Sequence, residues 1–255
     1  MANYDNSTVS ELNASDGSLV QTIPVGSGPR YLSSDGTHVW VMNSSEASVT
    51  ELSASDGSIV QRDIFVGGTD PLAISSDGTH VWLTQYEGST VVELNASDGS
   101  IVQTIPVGQS PSAIFSDGTH VWVANAGDNT VTELSASDGS ILQTIPAGYE
   151  PYGISSDRTH VWVSNYGGTV TELNASDGTL VQTITVGNSP LGVSTDGTHV
   201  WITNYGGSTV TELNAADGSL VQRIAVGHSP DGISSDGTFI WIANYADNTV
   251  TRFAA

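Results

Sequence analysis

Six histidines and 27 acidic residues are the side chains of this 255-residue chain that could do acid–base or metal chemistry. Five of the histidines, His38, His80, His120, His160 and His199, each stand two residues before a tryptophan, and Phe239 takes the sixth such place. A metal needs its ligands within about 2 Å of one ion. Equivalent positions of separate repeats lie far apart, so this series reads as packing, and no metal or cofactor site is expected. His228 is the one histidine outside the series.

Most of the acids also recur in phase. Asp35, Asp77, Asp117, Asp157, Asp196 and Asp236 form one series, and Asp16, Asp56, Asp98, Asp138, Asp177 and Asp217 a second. All but Asp157 precede a glycine, and Arg158 replaces the glycine there. Asp-Gly suits turns that need a positive φ, and an Asp carboxylate bonds backbone groups two residues on. One Asp per turn is too sparse for a calcium loop. A third series, Glu11, Glu51, Glu93, Glu133, Glu172 and Glu212, sits in "TEL"-like stretches. If Asn43 faces Ser48 across a hairpin, Trp40 faces Glu51 with His38 on the same side. Each such Glu then braces its own repeat by accepting from an indole or imidazole N–H.

The letters that break the pattern point elsewhere. After the proline of "PYGIS"-like stretches the residues are Arg30, Leu72, Ser112, Tyr152, Leu191 and Asp231. The next place is small in five repeats and Tyr31 in the first. Tyr149 and Glu150 precede one proline, and His228 precedes Asp231 by three residues. Arg30, Tyr31, Tyr149, Glu150, Tyr152, His228 and Asp231 are therefore the candidate ligand-binding residues. No catalytic residue is assigned.

These residues must be positioned by a repeat. The six tryptophans are spaced 42, 40, 40, 39 and 40 residues apart, a period that signals radial or stacked repeats. One unit reads as four short strands, A "PYGIS", B "THVWV", C "TVTEL" and D "LVQTIPV", with turn signals between them. Val, Ile, Thr and Trp dominate, as a pleated surface favours. The stretch "VWVANAGDNTVTELSASDGSILQTIPAGYEPYGIS", Val121–Ser155, resembles the YVTN-type repeats of bacterial surface-antigen and YncE-like propellers, and the likeness covers essentially the whole chain. Streptogramin lyase is a propeller of related repeat style, but its histidine, glutamate and magnesium constellation has no convincing match here.

Six A–B pairs predict an all-β fold: one six-bladed β-propeller domain over residues 1–255, with four-stranded antiparallel blades. The N-terminus supplies C and D strands and the C-terminus A, B and C. Residues 1–25 are therefore expected to complete the last blade and close the ring, removing an exposed edge. Seven C strands then compete for six places. Alternating strand direction puts the D–A and B–C loops on one face, which carries all eight tyrosines, eight acids and five recurrent asparagines. The closing blades would bring Arg30, Tyr31, His228 and Asp231 to one sector of the channel mouth.

A formal net charge of −22, with five arginines and no lysine, repels phosphates and anionic membranes. Nucleic acid and membrane insertion are excluded as partnerships. The absence of cysteine rules out disulfides and leaves the compartment open, with an extracellular or cell-surface setting favoured. A monomer is expected, a strand-swapped dimer being the alternative. Three functional readings follow. One is a module binding carbohydrate or a cationic small molecule or peptide. Another is a lyase or lactone hydrolase using His228, nearby acids and a divalent metal. The third is a display scaffold. The first is favoured, because no nucleophile motif or paired-His spacing is present.

Overall fold

The computed structural model describes residues 1–68 and 70–255. Among them, strands are joined by tight turns and by two short 3-10 turns, Tyr4–Asn6 and Tyr205–Gly207. Seven antiparallel sheets follow one another along the chain as the blades of a β-propeller. Blade 1 holds Ala2–Asn3, Thr8–Leu12 and Leu19–Pro24. Blade 2 holds Pro29–Ser34, His38–Asn43, Ser48–Ser53 and Ile59–Phe65, and blade 3 holds Pro71–Ser76, His80–Gln85, Thr90–Asn95 and Ile101–Pro106. Blade 4 is Pro111–Ser116, His120–Asn125, Thr130–Ser135 and Ile141–Pro146, and blade 5 is Pro151–Ser156, His160–Asn165, Thr169–Asn174 and Leu180–Thr185. Blade 6 is Pro190–Thr195, His199–Asn204, Thr209–Asn214 and Leu220–Ala225, and blade 7 is Pro230–Ser235, Phe239–Asn244 and Thr249–Ala254.

Seven blades overturn the expected six, and the two ends of the chain do not share a sheet. Thr8–Leu12 pairs with Leu19–Pro24 and with Ala2–Asn3. Thr249–Ala254 pairs with Phe239–Asn244 in a sheet of its own. The surplus C strand was the signal: each of the seven has a sheet. The reason is local. A C strand meets its D strand across a turn of five or six residues, whereas joining the two ends in one blade closes a loop of more than two hundred residues, and closure entropy grows with loop length. The short first strand repeats the end of a B strand, since "AN" before Tyr4 matches "AN" before Tyr245.

The chain divides into two compact units, Met1–Val123 with Thr132–Leu142, and Ala124–Val131 with Gln143–Ala255. In the first unit, Val9, Ile23, Val41 and Leu52 form an apolar cluster between blades 1 and 2. Trp40, Met42, Ile74 and Leu83 do the same between blades 2 and 3. In the second, Trp162, Val170, Val193 and Ile202 lie between blades 5 and 6, and Trp201, Val210, Ile240 and Ile242 between blades 6 and 7. The C strands of blades 2 to 6 are buried along most of their length, which suits their Val, Thr and Leu content.

The hairpin register is the expected one. Asn43 faces Ser48, Trp40 faces Glu51 and His38 faces Ser53. The A–B turn also follows from its letters. In blade 3, Asp77 Oδ1 accepts the N–H groups of Thr79 at 2.9 Å and His80 at 2.8 Å. Its Oδ2 accepts the indole N–H of Trp82 at 3.1 Å and the Ser116 hydroxyl at 2.9 Å. The indole partner is thus the turn aspartate rather than the C-strand glutamate. The glutamate accepts the D-strand glutamine amide instead, as Gln103 Nε2 does to Glu93 Oε2 at 2.8 Å. Each patterned histidine lies between the two acids, His80 being 3.5 Å from Glu93 and 3.9 Å from Asp77.

Successive blades are clipped by the same glutamine. Gln21 Nε2 donates to the Asp56 carbonyl at 2.9 Å, and Gln182 Nε2 to that of Asp217 at 2.9 Å. A Cβ on Gly57 would sit 2.5 Å from Gln21 Nε2, so the turn glycine is required by this approach as well as by its φ of +69°. One of the two extra residues in the tryptophan spacing of 42 lies in the outer strand of blade 2, where "IVQRDIFV" stands for "IVQTIPV". Blade 2 carries a bulge at Asp63, φ +56°, in its outer strand.

Candidate functional site

The A strands bulge just after their proline, and this places the residues that vary. In blade 5, Pro151 faces Asn165 and Gly153 faces Ser164, so the strand bulges at Tyr152. Arg30 occupies the same place in blade 2, between Pro29 facing Asn43 and Tyr31 facing Met42. Asp231 occupies it in blade 7. Bulges free a side chain from the ladder and re-aim it. The small residue that follows has a local cause: a Cβ on Gly192 would lie 2.4 Å from the Asp231 carbonyl oxygen of the next blade. That carbonyl accepts the Thr203 hydroxyl at 2.9 Å, while Gly192 N–H donates to the same hydroxyl oxygen at 2.8 Å. Ser164 bridges Gly153 N–H and the Leu191 carbonyl in the same way.

Arg30 is exposed and Tyr31 is half-buried against the cluster between blades 2 and 3. Both belong to the first unit, and Tyr149, Glu150, Tyr152, His228 and Asp231 belong to the second.

In the second unit the D–A and B–C loops of one blade are tied together. Tyr166 N–H donates to the Glu150 carbonyl at 2.9 Å, Tyr205 N–H to Ser189 at 3.0 Å, and Tyr245 N–H to Ser229 at 3.0 Å. The tyrosine backbone is thereby fixed and the ring stands outward. Tyr149, Tyr166 and Tyr245 are 62%, 41% and 70% exposed. Glu150 adopts φ +51°, its N–H donates to Asn129 Oδ1 at 2.7 Å, and its carboxylate accepts from the Tyr149 phenol, which raises the phenol's pKa.

The recurrent asparagines do not join this surface. Asn165 and Asn204 are fully buried. Asn204 Nδ2 donates to Thr209 and Thr211, and its Oδ1 accepts Gly187 N–H at 2.9 Å. These amides pin the loops and are spent.

His228 is oriented by an acid that sequence reasoning had not paired with it. Asp247, on the B–C loop of the same blade, accepts His228 N–H at 2.7 Å and lies 3.0 Å from Nδ1. The His228 N–H, with the imidazole behind it, holds the Asp247 carboxyl below the usual range. The signal was available: loops D–A and B–C of one blade share a face, and Asp247 is the acid on the loop facing His228. An imidazole held at Nδ1 leaves Nε2 outward, the arrangement of an oriented base or of a hydrogen-bonding group for a ligand. Among the described residues, no group of three or more His, Asp or Glu is placed to hold a metal ion. No helix among them is long and apolar enough to cross a membrane.

Comparison with known proteins places this repeat architecture. A model of the family described as outer membrane protein assembly factor BamB matches residues 5–254. The chain belongs to this family. No curated protein matches the sequence significantly. Among solved structures, virginiamycin B lyase from Staphylococcus aureus superposes with a TM-score of 0.83 at 18% identity, covering 99% of this chain and 89% of that one. A catalytically inactive histidine-to-alanine variant of the same lyase, with quinupristin, gives 0.83 at 19% identity and the same coverages, 99% and 89%. The RRP9 WD40 repeats give 0.81 at 15%, covering 94% and 82%. At these identities this BamB-type propeller shares the fold with them.

Proposed function

We propose that this protein is a ligand-binding propeller module that takes carbohydrate or a cationic small molecule or peptide on the D–A and B–C loops of blades 5 to 7. Tyr149, Glu150, Tyr152, His228 and Asp231 are assigned to that surface, joined by Tyr166, Tyr245 and Asp247. The observation that carries the reading is the row of tyrosines held outward on pinned loops, next to acids. Aromatic faces stack on sugar rings or attract cations, and carboxylates orient hydroxyls or ammonium groups. Arg30 and Tyr31 are assigned as candidate ligand-binding residues of the first unit. The nearer kinship proposed is with YVTN-type propellers, on the repeat text around Val121–Ser155.

The test is a titration with chito- and cello-oligosaccharides and with spermidine, followed by amide and aromatic chemical shifts. Saturable shifts at Tyr149, Tyr166 and Tyr245, weakened as salt rises for spermidine, support the reading. Shifts absent from these loops, or affinities unchanged by Tyr149→Ala and Tyr245→Ala, refute it.

A second reading, a lyase, is favoured by the oriented His228–Asp247 pair. Virginiamycin B lyase loses catalysis when one histidine becomes alanine. Turnover of quinupristin by this protein, abolished by His228→Ala, would support the lyase over the module. The same experiment without turnover leaves the pair a binding element.

A further inference from the structure

The opposite end of the second unit carries a break in the repeat that the tyrosine loops do not explain. At the A–B turns the second turn residue is glycine in five blades: Gly36, Gly78, Gly118, Gly197 and Gly237, all with φ between +81° and +88°. Blade 5 has Arg158 there, at φ +72°. A side chain with a Cβ is strained in that region, so the arginine is kept at a place where the backbone asks for glycine. Strained residues of this kind cluster at sites of function.

Arg158 lines a groove of about 340 Å³ together with Ser156, Asp157, Thr195, Asp196, Gly197 and Gly237. The two aspartates do not make this groove a cation site. Their side chains are only 6% and 10% exposed. Asp157 Oδ1 accepts the N–H groups of Thr159 at 2.8 Å and His160 at 2.7 Å. Asp196 Oδ1 accepts those of Thr198 at 2.8 Å and His199 at 2.7 Å. Their Oδ2 atoms face Trp162 and Trp201. Both carboxylates are turned inward and spent.

What the groove offers outward is different. The Ser156 and Thr195 oxygens accept from the turn N–H groups of Arg158 and Gly197, and Gly197 and Gly237 add no side chain to the lining. Arg158 is exposed, and among the described residues only its backbone N–H is engaged. Arg62 and Arg223, by contrast, cap the carbonyls of Pro24 and Val186, and Arg252 lies 4.3 Å over the Phe239 ring. Arg158 is thus a planar five-donor fork beside a groove whose two carboxylates are taken up by turn and indole N–H groups, and a guanidinium recognises carboxylate or phosphate in a bidentate way.

We infer that the turn groove of blades 5 to 7 binds a small oxyanion, a carboxylate or phosphate group, through the Arg158 guanidinium. The site is separate from the tyrosine loops, and its success or failure is independent of the function proposed there. The protein's net charge of −22 opposes the approach of any anion, so weak binding is expected.

Titration of the whole chain with inorganic phosphate and, separately, with acetate tests this by amide and arginine side-chain NMR. Saturable shifts confined to Arg158, Gly197 and Gly237 are expected. The stronger of the two anions names the class. Arg158→Gly restores the repeat's own turn residue, and Arg158→Gln keeps a long polar side chain. Each should weaken the midpoint at least tenfold while leaving the rest of the spectrum in place. Shifts that fail to saturate, spread over unrelated surface amides, or keep their midpoint in either variant overturn the inference.

Discussion

The two ends of the blades both carry acids and use them in opposite ways. At the A–B turn end, Asp35, Asp77 and Asp196 face inward and accept backbone and indole N–H groups. At the loop end, Glu150 and Asp247 hold a phenol and an imidazole that stand in solvent. The same residue type is therefore structural where it recurs and available where it does not. The difference is set by burial and by the number of donors each carboxylate meets.

The largest effect should come from breaking a turn carboxylate. Asp77→Ala removes the acceptor of four hydrogen bonds and leaves the Trp82 indole N–H unpaired in the core. A loss of about 3 kcal/mol is expected from urea unfolding, with no change at the tyrosine loops. Stability within about 0.5 kcal/mol of the parent would erase the distinction between the two ends.

Acid should next separate the carboxylates of the brace. Burial pushes Asp77 up, but the N–H of His80, the Trp82 indole, the N–H of Thr79 and the Ser116 hydroxyl outweigh it and hold the carboxyl below its usual value. Asp35 and Asp196 behave alike. A depressed folded value stabilises fully above the unfolded pKa, about 3.9, and that stabilisation is lost as pH falls through the lower folded value. Glu51 has the opposite sign. Burial raises it, with His38 opposing, so its cost is relieved as pH falls through the raised value. Unfolding measured over a pH series should show stability falling steeply only below about pH 4. A steep decline beginning near neutrality would contradict the assignment.

A smaller effect is expected at the loops. Tyr149→Ala and Tyr245→Ala should change stability by less than about 0.5 kcal/mol, because both rings are exposed, yet each should weaken ligand binding by about 1 kcal/mol or more. A large stability loss in either would move these rings from the binding surface to the scaffold.

The smallest is a gain. Arg158→Gly relieves a left-handed residue at about 1–2 kcal/mol against the extra unfolded-state freedom of glycine, about 0.5–1 kcal/mol. A net stabilisation of about 1 kcal/mol or less is expected in thermal unfolding. A destabilised variant would assign the arginine to the fold instead.

Much of this was legible in the letters. The four-strand unit, the Asp-Gly turns, the Trp40–Glu51 register and the structural role of the patterned histidines all follow from stretches of ten or so residues, where hairpin contacts are local. Less legible was the use of the polar groups. The asparagines looked available and are buried, indoles such as that of Trp82 take the turn aspartate rather than the glutamate, and His228 takes Asp247. Each depends on which of several similar donors lies nearest in space.

The sequence by itself determined the repeat, the strands, the turns and the residues that break the pattern, because periodicity and turn chemistry act within one hairpin. Only the tertiary structure decided that seven C strands build seven sheets, which acid meets which donor, and that Arg158 overlooks a groove. Near-identical repeats offer near-identical pairing partners. Letters that are equal in every blade cannot say which copy pairs with which, and that choice falls to loop closure and packing between blades.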